Sequence, residues 1–364
     1  MKVLFVVELF YPNIGGNEKL FLNLGEELVK LGHDVTVITT KFNKELPGKE
    51  IYHGIEIIRL SLINRFGFTF LSLPTIIKYS KKADIIHTTS YNAAFPSWLA
   101  SKITGTKAII TFHEVWGKLW FKLPYFNPIE RVLFYIYERF ILSLNFNFFI
   151  GVSDYTSNCL VEAGVSKDRV HRIYNGLSKS CYAEKEDVIN KKGFTYTYFG
   201  RLGSSKGIDL LMKASEVFLV ANSGKLKIIS SSKPKHIYQR ILKWITKSNL
   251  HEKVEYATHL PYDKLIHELK KSSCVVIPSY SEGFCYAAVE CIAMGIPVIL
   301  SGKGALKEVA SGKYIEMDEM SGDGLIRALE KANMNEWTNT SIKKFLLSDT
   351  VKNYISIYSD LVDS

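Results

Sequence analysis

The sequence predicts an α/β protein with two domains, each built on a parallel β-sheet. In each half of the 364 residues, a series of short apolar runs alternates with helical patterns. Because the chain is 47% apolar and 13% aromatic, each half can bury a core of its own. This is the pattern of two Rossmann-like domains, whose ligands bind at the carboxyl ends of the strands. We therefore expect the two sheets to face each other across a cleft.

The predicted strands are short apolar runs bounded by turn residues or charges. In the first half they are residues 3–7, 34–39, 55–59, 85–87, 108–111 and 148–152. In the second half they are residues 196–199, 226–229, 254–256, 274–277 and 298–300. Residues 177–192 are rich in Ser, Lys, Glu and Asp without an apolar period, which is typical of a linker. We therefore predict domains at 1–180 and 181–341, followed by a helix at about 342–364.

The most informative segment, residues 278–299, follows the strand predicted at 274–277. Glu282 lies in the loop after this strand, and Glu290 lies eight residues later on a short, mostly apolar helix. A carboxylate buried on such a helix requires a partner. Arginine or backbone amides are the ordinary candidates, and a pair of sugar hydroxyls is the functional one. Gly283 would let a ligand approach amides at the start of the helix.

Two cations, Arg201 and Lys206, follow the strand predicted at 196–199. The simple interpretation is a strand-to-helix turn, with Asp209 favouring the helix N-terminus. The functional interpretation is a receptor for a diphosphate, because both cations lie at the end of a parallel strand and near a helix N-terminus. The order Lys-Gly rather than Gly-Lys-Ser/Thr excludes a P-loop.

In the N-terminal half, Gly15 and Gly16 separate the first strand from the first helix. They allow a tight turn and a close approach to phosphate, although a plain turn remains the alternative. The Gly-x-Gly-x-x-Gly fingerprint of dinucleotide sites is absent. His113 follows the strand predicted at 108–111 and should face the cleft, where it has either a functional or a structural role.

These motifs resemble those of the retaining glycosyltransferases of family 4, also called glycosyl transferases group 1, which have the GT-B fold. The residues Pro-Ser-Tyr-Ser-Glu-Gly-Phe-Cys at 278–285 and the segment from Glu290 to Val298 resemble the family's Glu-x7-Glu signature. Cys285 and Cys291 replace a glycine and an alanine there, and we expect both to be tolerated because they are small. The Gly-Arg-x-x-x-x-Lys-Gly and Gly-Gly-x-Glu motifs are similar to the family's as well.

The resemblance implies a hexosyltransferase that moves a sugar from a nucleotide-diphosphate sugar to a glycan or lipid-linked acceptor, with retention of configuration. It implies an N-terminal acceptor domain, a C-terminal donor domain and a last helix that returns to the first domain. The catalytic residues would be Glu282, His113, Arg201 and Lys206. The donor-binding residues would be Gly15, Gly16, Arg201, Lys206, Glu282, Gly283, Phe284, Cys285 and Glu290. A sugar-nucleotide epimerase and a non-catalytic carbohydrate-binding relative are the alternatives.

The resemblance also implies a reaction without a metal or cofactor, and no Asp-x-Asp motif occurs in the chain. No nucleic-acid-binding motif accompanies the net charge of +10. The five cysteines lack metal-type spacing and suit a reducing cytoplasm. The apolar run at residues 1–8 is short and meets a charge, so we expect a first strand there rather than a signal peptide. No apolar stretch approaches the ~18 residues of a spanning helix.

Residues 116–149 mix aromatic and basic side chains. This region is either a helix packed in the core or a surface that binds anionic membrane, with Trp120, Phe121 and Tyr125 beside Lys118 and Lys122. We expect a cytoplasmic protein, peripheral on the inner face of the cell membrane.

Overall fold

The computed structural model describes residues 1–13, 15–62, 66–182, 193–258 and 260–363, and its contacts divide the chain into two units. Unit 1 comprises Met1–Phe121, Pro128–Gly176 and Phe345–Ser364, and unit 2 comprises Lys122–Asn127 and Leu177–Lys344. We did not predict that residues 122–127 pack with the second unit. Most of the predicted linker, residues 183–192, lies outside the described residues.

Unit 1 is built on a mostly parallel sheet. Its described strands are β1 (Lys2–Val6), β2 (Asp34–Thr40), β3 (Lys49–Tyr52), β4 (Ile55–Leu60), β5 (Ile85–Thr89), β6 (Lys107–Phe112), β7 (Phe148–Gly151) and β8 (Val170–Arg172). They follow the order β3-β4-β2-β1-β5-β6-β7-β8, and β3 pairs antiparallel with β4. The order reverses direction at β1 and β5, which is where a doubly wound sheet opens a crevice for ligands.

Helices cover both faces of this sheet. They are α1 (Gly16–Lys30), α2 (Gly67–Leu71), α3 (Leu73–Ser80), α4 (Ala94–Thr104), α5 (Pro128–Ser143) and α6 (Asp154–Glu162), with 3-10 turns at Tyr91–Ala93, Gly117–Phe121 and Lys167–Arg169. In β1, Val3 and Phe5 pack in the cluster that contains α1, whereas Leu4 and Val6 pack in the cluster that contains α2 to α6. Burial on both faces explains why the parallel strands read as continuous apolar runs.

Unit 2 has a second sheet of the same kind. Its described strands are β9 (Phe194–Phe199), β10 (Gly224–Ile229), β11 (Val254–Ala257), β12 (Cys274–Ile277), β13 (Val298–Leu300), β14 (Lys313–Glu316) and β15 (Thr338–Asn339). Their order is β11-β10-β9-β12-β13-β14-β15, with β15 antiparallel to β14. The described helices are α7 (Ile208–Ala221), α8 (Lys235–Lys247), α9 (Tyr262–Lys271), α10 (Tyr286–Ala293), α11 (Leu306–Val309) and α12 (Gly322–Asn333), with a 3-10 turn at Lys179–Tyr182. β9 and β12 are neighbours, so the loops that follow them meet.

The chain ends in α13 (Leu347–Val362), which packs in unit 1. Its Tyr354 and Tyr358 are fully buried against His87 of β5. His87 Nδ1 lies 2.7 Å from the Tyr358 hydroxyl, and His87 Nε2 lies 2.7 Å from Thr111 Oγ1. Thr111 Oγ1 is in turn 3.0 Å from the Tyr354 hydroxyl. A buried polar cluster of this kind fixes the position of α13, because a lost partner leaves an unsatisfied group in the core.

Burial lowers the pKa of His87 well below its usual value, and His113 adds to the shift. Below about pH 6.5 the unfolded chain therefore binds a proton that the folded chain does not, and stability falls as the pH falls through that value. We expect the free energy of unfolding, measured by urea titration, to decrease from about pH 7 to about pH 5, and to decrease less in His87→Gln. An equal pH dependence in the variant would contradict the assignment to His87.

Candidate functional site

The loop between β9 and α7 carries the two predicted cations. Arg201 is exposed and its backbone carbonyl accepts a 2.8 Å hydrogen bond from the Tyr198 hydroxyl. The Lys206 side chain is only 22% exposed. Gly207, with φ of +66°, is the N-cap of α7, so Lys206 lies immediately before the helix N-terminus. The structure therefore holds the loop through its backbone and leaves the Arg201 side chain in solvent.

The neighbouring loop, from β12 to α10, is buried. Ser279 is 1% exposed and Glu282 is 7% exposed. Ser301 Oγ donates a 2.6 Å hydrogen bond to the Ser279 carbonyl, and the Ala305 amide donates a 2.8 Å hydrogen bond to the Glu282 carbonyl. These contacts from the loop after β13 fix the backbone that presents Glu282.

An ion pair joins the two loops. Lys206 Nζ lies 2.9 Å from Glu282 Oε2, and Ser279 Oγ donates a 2.7 Å hydrogen bond to Glu282 Oε1. Each oxygen of this buried carboxylate thus has a donor, as a charge in a low-dielectric site requires. We predicted both residues as parts of a site but did not predict their pairing. It depends on β9 and β12 being neighbours, which the sequence does not state.

Two glycines let neighbouring segments approach the loop that carries Glu282. A Cβ on Gly207 would lie 1.9 Å from the Pro278 carbonyl oxygen, and a Cβ on Gly304, with φ of +63°, would lie 2.3 Å from the Glu282 carbonyl oxygen. A side chain at either position would displace the loop that carries Glu282. The glycine of the Lys-Gly motif is therefore required by the neighbouring loop, independently of any ligand.

A second link between the same loops involves Tyr280. Its hydroxyl donates a 2.7 Å hydrogen bond to Asp209 Oδ2, and its amide donates a 2.7 Å hydrogen bond to the Ser205 carbonyl. Asp209 lies in the first turn of α7, as predicted. Beside Glu282 in the sequence, the Ser281 Oγ is buried and has no hydrogen-bond partner within the described residues.

Cys285 has a backbone conformation that favours glycine. It is the N-cap of α10, with φ of +70° and ψ of +77°. We expected this residue to be tolerated because it is small, but its size is not the constraint, since any Cβ is strained in this region. Burial and the nearby Glu282 raise the pKa of its thiol well above the usual value. Cys285 therefore stays protonated and is not a nucleophile.

The predicted environment of Glu290 is wrong. Glu290 lies on α10 and is partly exposed to solvent, whereas the neighbouring Val289 and Cys291 are buried. The buried carboxylate of this segment is Glu282. Gly283 and Phe284 are buried in the turn that leads into α10, and the Phe284 ring packs edge-on against Tyr286 at 5.3 Å. The carboxylate whose burial requires a partner is therefore Glu282.

The remaining predicted site residues belong to unit 1. Gly15 is the N-cap of α1 with an extended backbone, φ of −172°, and Gly16 begins the helix, so Gly15 does not adopt a left-handed turn. In the first turn of α1, Glu18 is buried and accepts a 2.8 Å hydrogen bond from Asn13 Nδ2. His113 is half-buried directly after β6. The N-terminus of α1 and His113 thus follow the carboxyl ends of β1 and β6, two parallel strands of the unit 1 sheet.

The predicted aromatic and basic surface is only partly correct. Phe121 and Lys118 are exposed, but Trp120 is buried at 4% exposure. Tyr125 packs in unit 2, where the Arg240 guanidinium lies 5.4 Å from its ring centroid. Burial raises the pKa of Tyr125 to about 12. Trp120 and Tyr125 therefore serve the packing of the protein.

Two kinds of feature are absent from the described residues. No group of three or more His, Cys, Asp or Glu side chains in these residues is arranged to hold a metal ion. None of the described helices combines the length and apolar character that crossing a bilayer requires.

The chain matches two family models that meet near the boundary of the units. The model of Glycosyltransferase Family 4 matches residues 14–180, and the model of Glycosyl transferases group 1 matches residues 183–344. The chain belongs to the family 4 glycosyltransferases. It is a hexosyltransferase with the GT-B fold, as the motifs predicted.

Known proteins similar to this glycosyltransferase match it over almost its whole length. One is a phosphatidylinositol N-acetylglucosaminyltransferase component from Arabidopsis thaliana, which is 22% identical over 98% of this chain and 81% of its own. The structure of sucrose-phosphate synthase from Thermosynechococcus elongatus superposes with a TM-score of 0.82 at 20% identity, covering 100% of both chains. That of Anabaena HepE in complex with UDP-glucose has a TM-score of 0.72 at 16% identity, covering 100% of this chain and 95% of its own.

The ion pair predicts a specific pattern of stabilities in this glycosyltransferase. Lys206→Met leaves the Glu282 carboxylate buried without its cation, and we expect a loss of about 2–3 kcal/mol in the free energy of unfolding, less than for a fully buried pair because Lys206 is partly exposed. Lys206→Met/Glu282→Gln should lose less than the sum of the two single variants, with a coupling of about 1–2 kcal/mol. Additive losses in urea denaturation would show that the pair contributes no coupling.

The strain at Cys285 predicts a stabilising substitution. Cys285→Gly removes the Cβ from a left-handed backbone, whereas Cys285→Ala removes the thiol and keeps the Cβ. After the entropy cost of glycine, we expect the glycine variant to exceed the alanine variant by about 0.5–1 kcal/mol in the free energy of unfolding. A glycine variant less stable than the alanine variant would mean that the position is not strained.

Proposed function

We propose that this enzyme transfers a hexose from a nucleotide-diphosphate sugar to a glycan or lipid-linked acceptor, with retention of configuration and without a metal ion. The observation that carries the proposal is the pairing of Lys206 with the buried Glu282, beside the exposed Arg201, at the carboxyl ends of neighbouring parallel strands. This arrangement provides positive charge for a leaving diphosphate and a carboxylate for the sugar. The C-terminal domain, predicted at 181–341, would then bind the donor.

The leaving group would be stabilised by cations and helix N-termini. When the bond to the anomeric carbon breaks, negative charge develops on the diphosphate. Arg201 is available in solvent, and Lys206 lies beside the N-terminus of α7. The amides of Gly283 and Phe284, in the turn before α10, would add hydrogen-bond donors with the favourable end of a helix dipole. These groups would take the place that a divalent cation has in other transferases.

Glu282 would orient the transferred sugar. When a diphosphate oxygen replaces Glu282 as the partner of Lys206, Glu282 Oε2 loses its hydrogen-bond donor. Ser279 still donates to Oε1. The released oxygen would accept a hydrogen bond from a sugar hydroxyl, because a buried carboxylate oxygen requires a donor. Glu290 on α10 would bind the ribose, and Cys285 would line the donor site. Donor binding would thus exchange one ionic partner of Lys206 for another.

In unit 1 we propose roles for the residues at the carboxyl ends of its strands. Gly15 and Gly16 would offer amides of the α1 N-terminus to phosphate, and His113 would contact the sugar. The N-terminal domain, predicted at 1–180 with the returning helix α13, would bind the acceptor. The Arabidopsis relative is named for transfer to phosphatidylinositol, and HepE binds UDP-glucose, which supports a lipid-linked acceptor and a nucleotide-sugar donor.

We further propose that the enzyme works without a cofactor in the cytoplasm, on the inner face of the cell membrane. Cys159, Cys181, Cys285 and Cys291 are free thiols, which suits a reducing compartment. The net charge of +10 suits an anionic donor and an anionic surface. Membership of the family favours transfer over epimerisation, and the intact pair of Lys206 and Glu282 favours a catalytic protein over a non-catalytic relative.

Steady-state kinetics with the donor nucleotide sugar test the mechanism. Arg201→Ala should lower kcat by roughly tenfold or more and raise the donor KM by less, because its contact strengthens as charge develops on the leaving diphosphate. Since Arg201 is exposed, the variant should unfold at the same urea concentration as the wild type. Lys225→Ala, which removes an exposed cation of β10 in the same unit, is the matched control and should leave both constants unchanged.

The same assay tests the remaining claims. Activity should survive EDTA, and proton NMR of the product should show the anomeric configuration of the donor. A loss of activity that magnesium restores would contradict the metal-free mechanism, and an inverted product would contradict retention. If Lys225→Ala changed kcat and KM as much as Arg201→Ala does, Arg201 would act only through the general charge of the surface.

A further inference from the structure

Helix α5 carries an apolar face that the described chain leaves in solvent. Ile129, Val132, Leu133, Ile136 and Phe140 recur at helical spacing and are 72%, 44%, 59%, 56% and 42% exposed. They lie within one narrow stripe of the helix, opposite the buried residues of α5. Five exposed large apolar side chains in one stripe exceed the scattered exposure that is normal at a protein surface.

Helix α2 carries a second group of exposed apolar residues. Phe66, Phe70 and Leu71 at this helix are 61%, 70% and 57% exposed. Both α2 and α5 contact the 3-10 turn Tyr91–Ala93, which follows β5, and the ring centroid of Phe140 is 5.8 Å from that of Phe95 in α4. The two helices that carry these exposed residues therefore pack on the same turn. We refer to the exposed residues together as the α2–α5 surface.

The α2–α5 surface lies beside the candidate site of unit 1. The turn that it flanks follows the carboxyl end of β5, the neighbour of β6, and His113 follows the carboxyl end of β6. The carboxyl ends of parallel strands meet at one edge of a sheet. The turn on which α2 and α5 pack therefore lies at the same edge of the sheet as His113.

The charges next to this surface identify its occupant. Lys118, in the turn that packs on α5, and Arg139, on α5 itself, are exposed. The acidic residue next to Arg139 is turned inward, because Glu138 is 2% exposed and accepts hydrogen bonds of 2.9 Å and 2.6 Å from the amides of Trp116 and Gly117. Glu130, in the first turn of α5, is half-buried, whereas the cations Lys118 and Arg139 are exposed beside the apolar face. An apolar face with exposed cations at its border fits an anionic lipid surface. In a symmetric pair of chains, the same cations would be brought against each other.

We propose that the α2–α5 surface docks on a bilayer that contains anionic lipid and so places a lipid-linked acceptor at the His113 end of unit 1. The aliphatic and aromatic side chains enter the boundary between headgroups and acyl chains, and Lys118 and Arg139 contact lipid phosphates. This proposal rests on the proposed function for the class of acceptor. It names the partner surface and the residues that bind it.

Flotation with lipid vesicles tests the docking surface. The wild type should float with vesicles of phosphatidylcholine and phosphatidylglycerol, float less with pure phosphatidylcholine, and detach as salt rises. Leu133→Gln/Ile136→Gln should bind the anionic vesicles about tenfold more weakly or worse, since each variant residue loses the transfer of an apolar side chain. The matched control is Val217→Gln/Val220→Gln, which changes two apolar residues of α7 that are 55% and 77% exposed, and it should float like the wild type.

Three outcomes would overturn the proposal. They are flotation of Leu133→Gln/Ile136→Gln equal to that of the wild type, equal flotation with neutral vesicles, and an equal loss in the α7 control. Sedimentation of the wild type as a dimer that this variant converts to a monomer would assign the surface to a second copy instead. Thermal shift with UDP-, GDP- and ADP-sugars, run on the same variants, separates the two proposals. A failure of every nucleotide sugar to bind would contradict the proposed function, and the flotation result would stand independently.

Discussion

The contact between Lys206 and Glu282 determines how unit 2 is organised around its candidate site. A cation of the loop after β9 neutralises a buried carboxylate of the loop after β12, and Ser279 satisfies the other carboxylate oxygen. Gly207, before α7, and Gly304, in the loop after β13, are positions where a side chain would displace the loop that carries Glu282. The pair costs desolvation, so by itself it is weak evidence for stability. Under the proposed function, Lys206 leaves Glu282 for a ligand that carries its own negative charge.

Two residues near the Lys206–Glu282 pair, Cys285 and Ser281, lower the stability of the folded chain. Cys285 adopts a left-handed backbone that suits glycine, at the turn into α10 and next to Glu282. The cost, about 1 kcal/mol, falls within the range seen at functional sites that are held by their surroundings. Ser281 leaves a buried hydroxyl unsatisfied within the described chain. A strained backbone and an unsatisfied hydroxyl therefore lie in the same loop as Glu282.

Much of the fold could be predicted because the parallel strands are buried on both faces. Each of the apolar runs in the sequence corresponds to a strand of the structure, within two residues at either end. We did not predict β3, β8, β14 and β15, which are edge or near-edge strands, short and partly exposed, and so lack a continuous apolar run. Apart from Glu290, which lies within α10, the predicted members of the site lie in the loops between strand ends and helix starts, because position in the alternating pattern determines that.

The contacts within the site could not be predicted in the same way. The pairing of Lys206 with Glu282 depends on the order of strands in the sheet. The exposed face of α5 could have been found from the spacing of Ile129, Leu133, Ile136 and Phe140, but we gave more weight to the aromatic residues before it, of which Trp120 is buried. Glu290 was assigned a buried environment from the apolar residues around it, although a helix with buried residues on one side still has a side in solvent.

The most direct test of the account is a crystal structure of the enzyme with an intact nucleotide sugar, at the pH of the activity assay. We expect Lys206 Nζ to contact a diphosphate oxygen, Arg201 to close on the same diphosphate, and Glu282 to bind a sugar hydroxyl while it keeps its hydrogen bond from Ser279. A diphosphate bound elsewhere, with Lys206 still paired to Glu282, would contradict the central claim and leave the pair a purely structural contact.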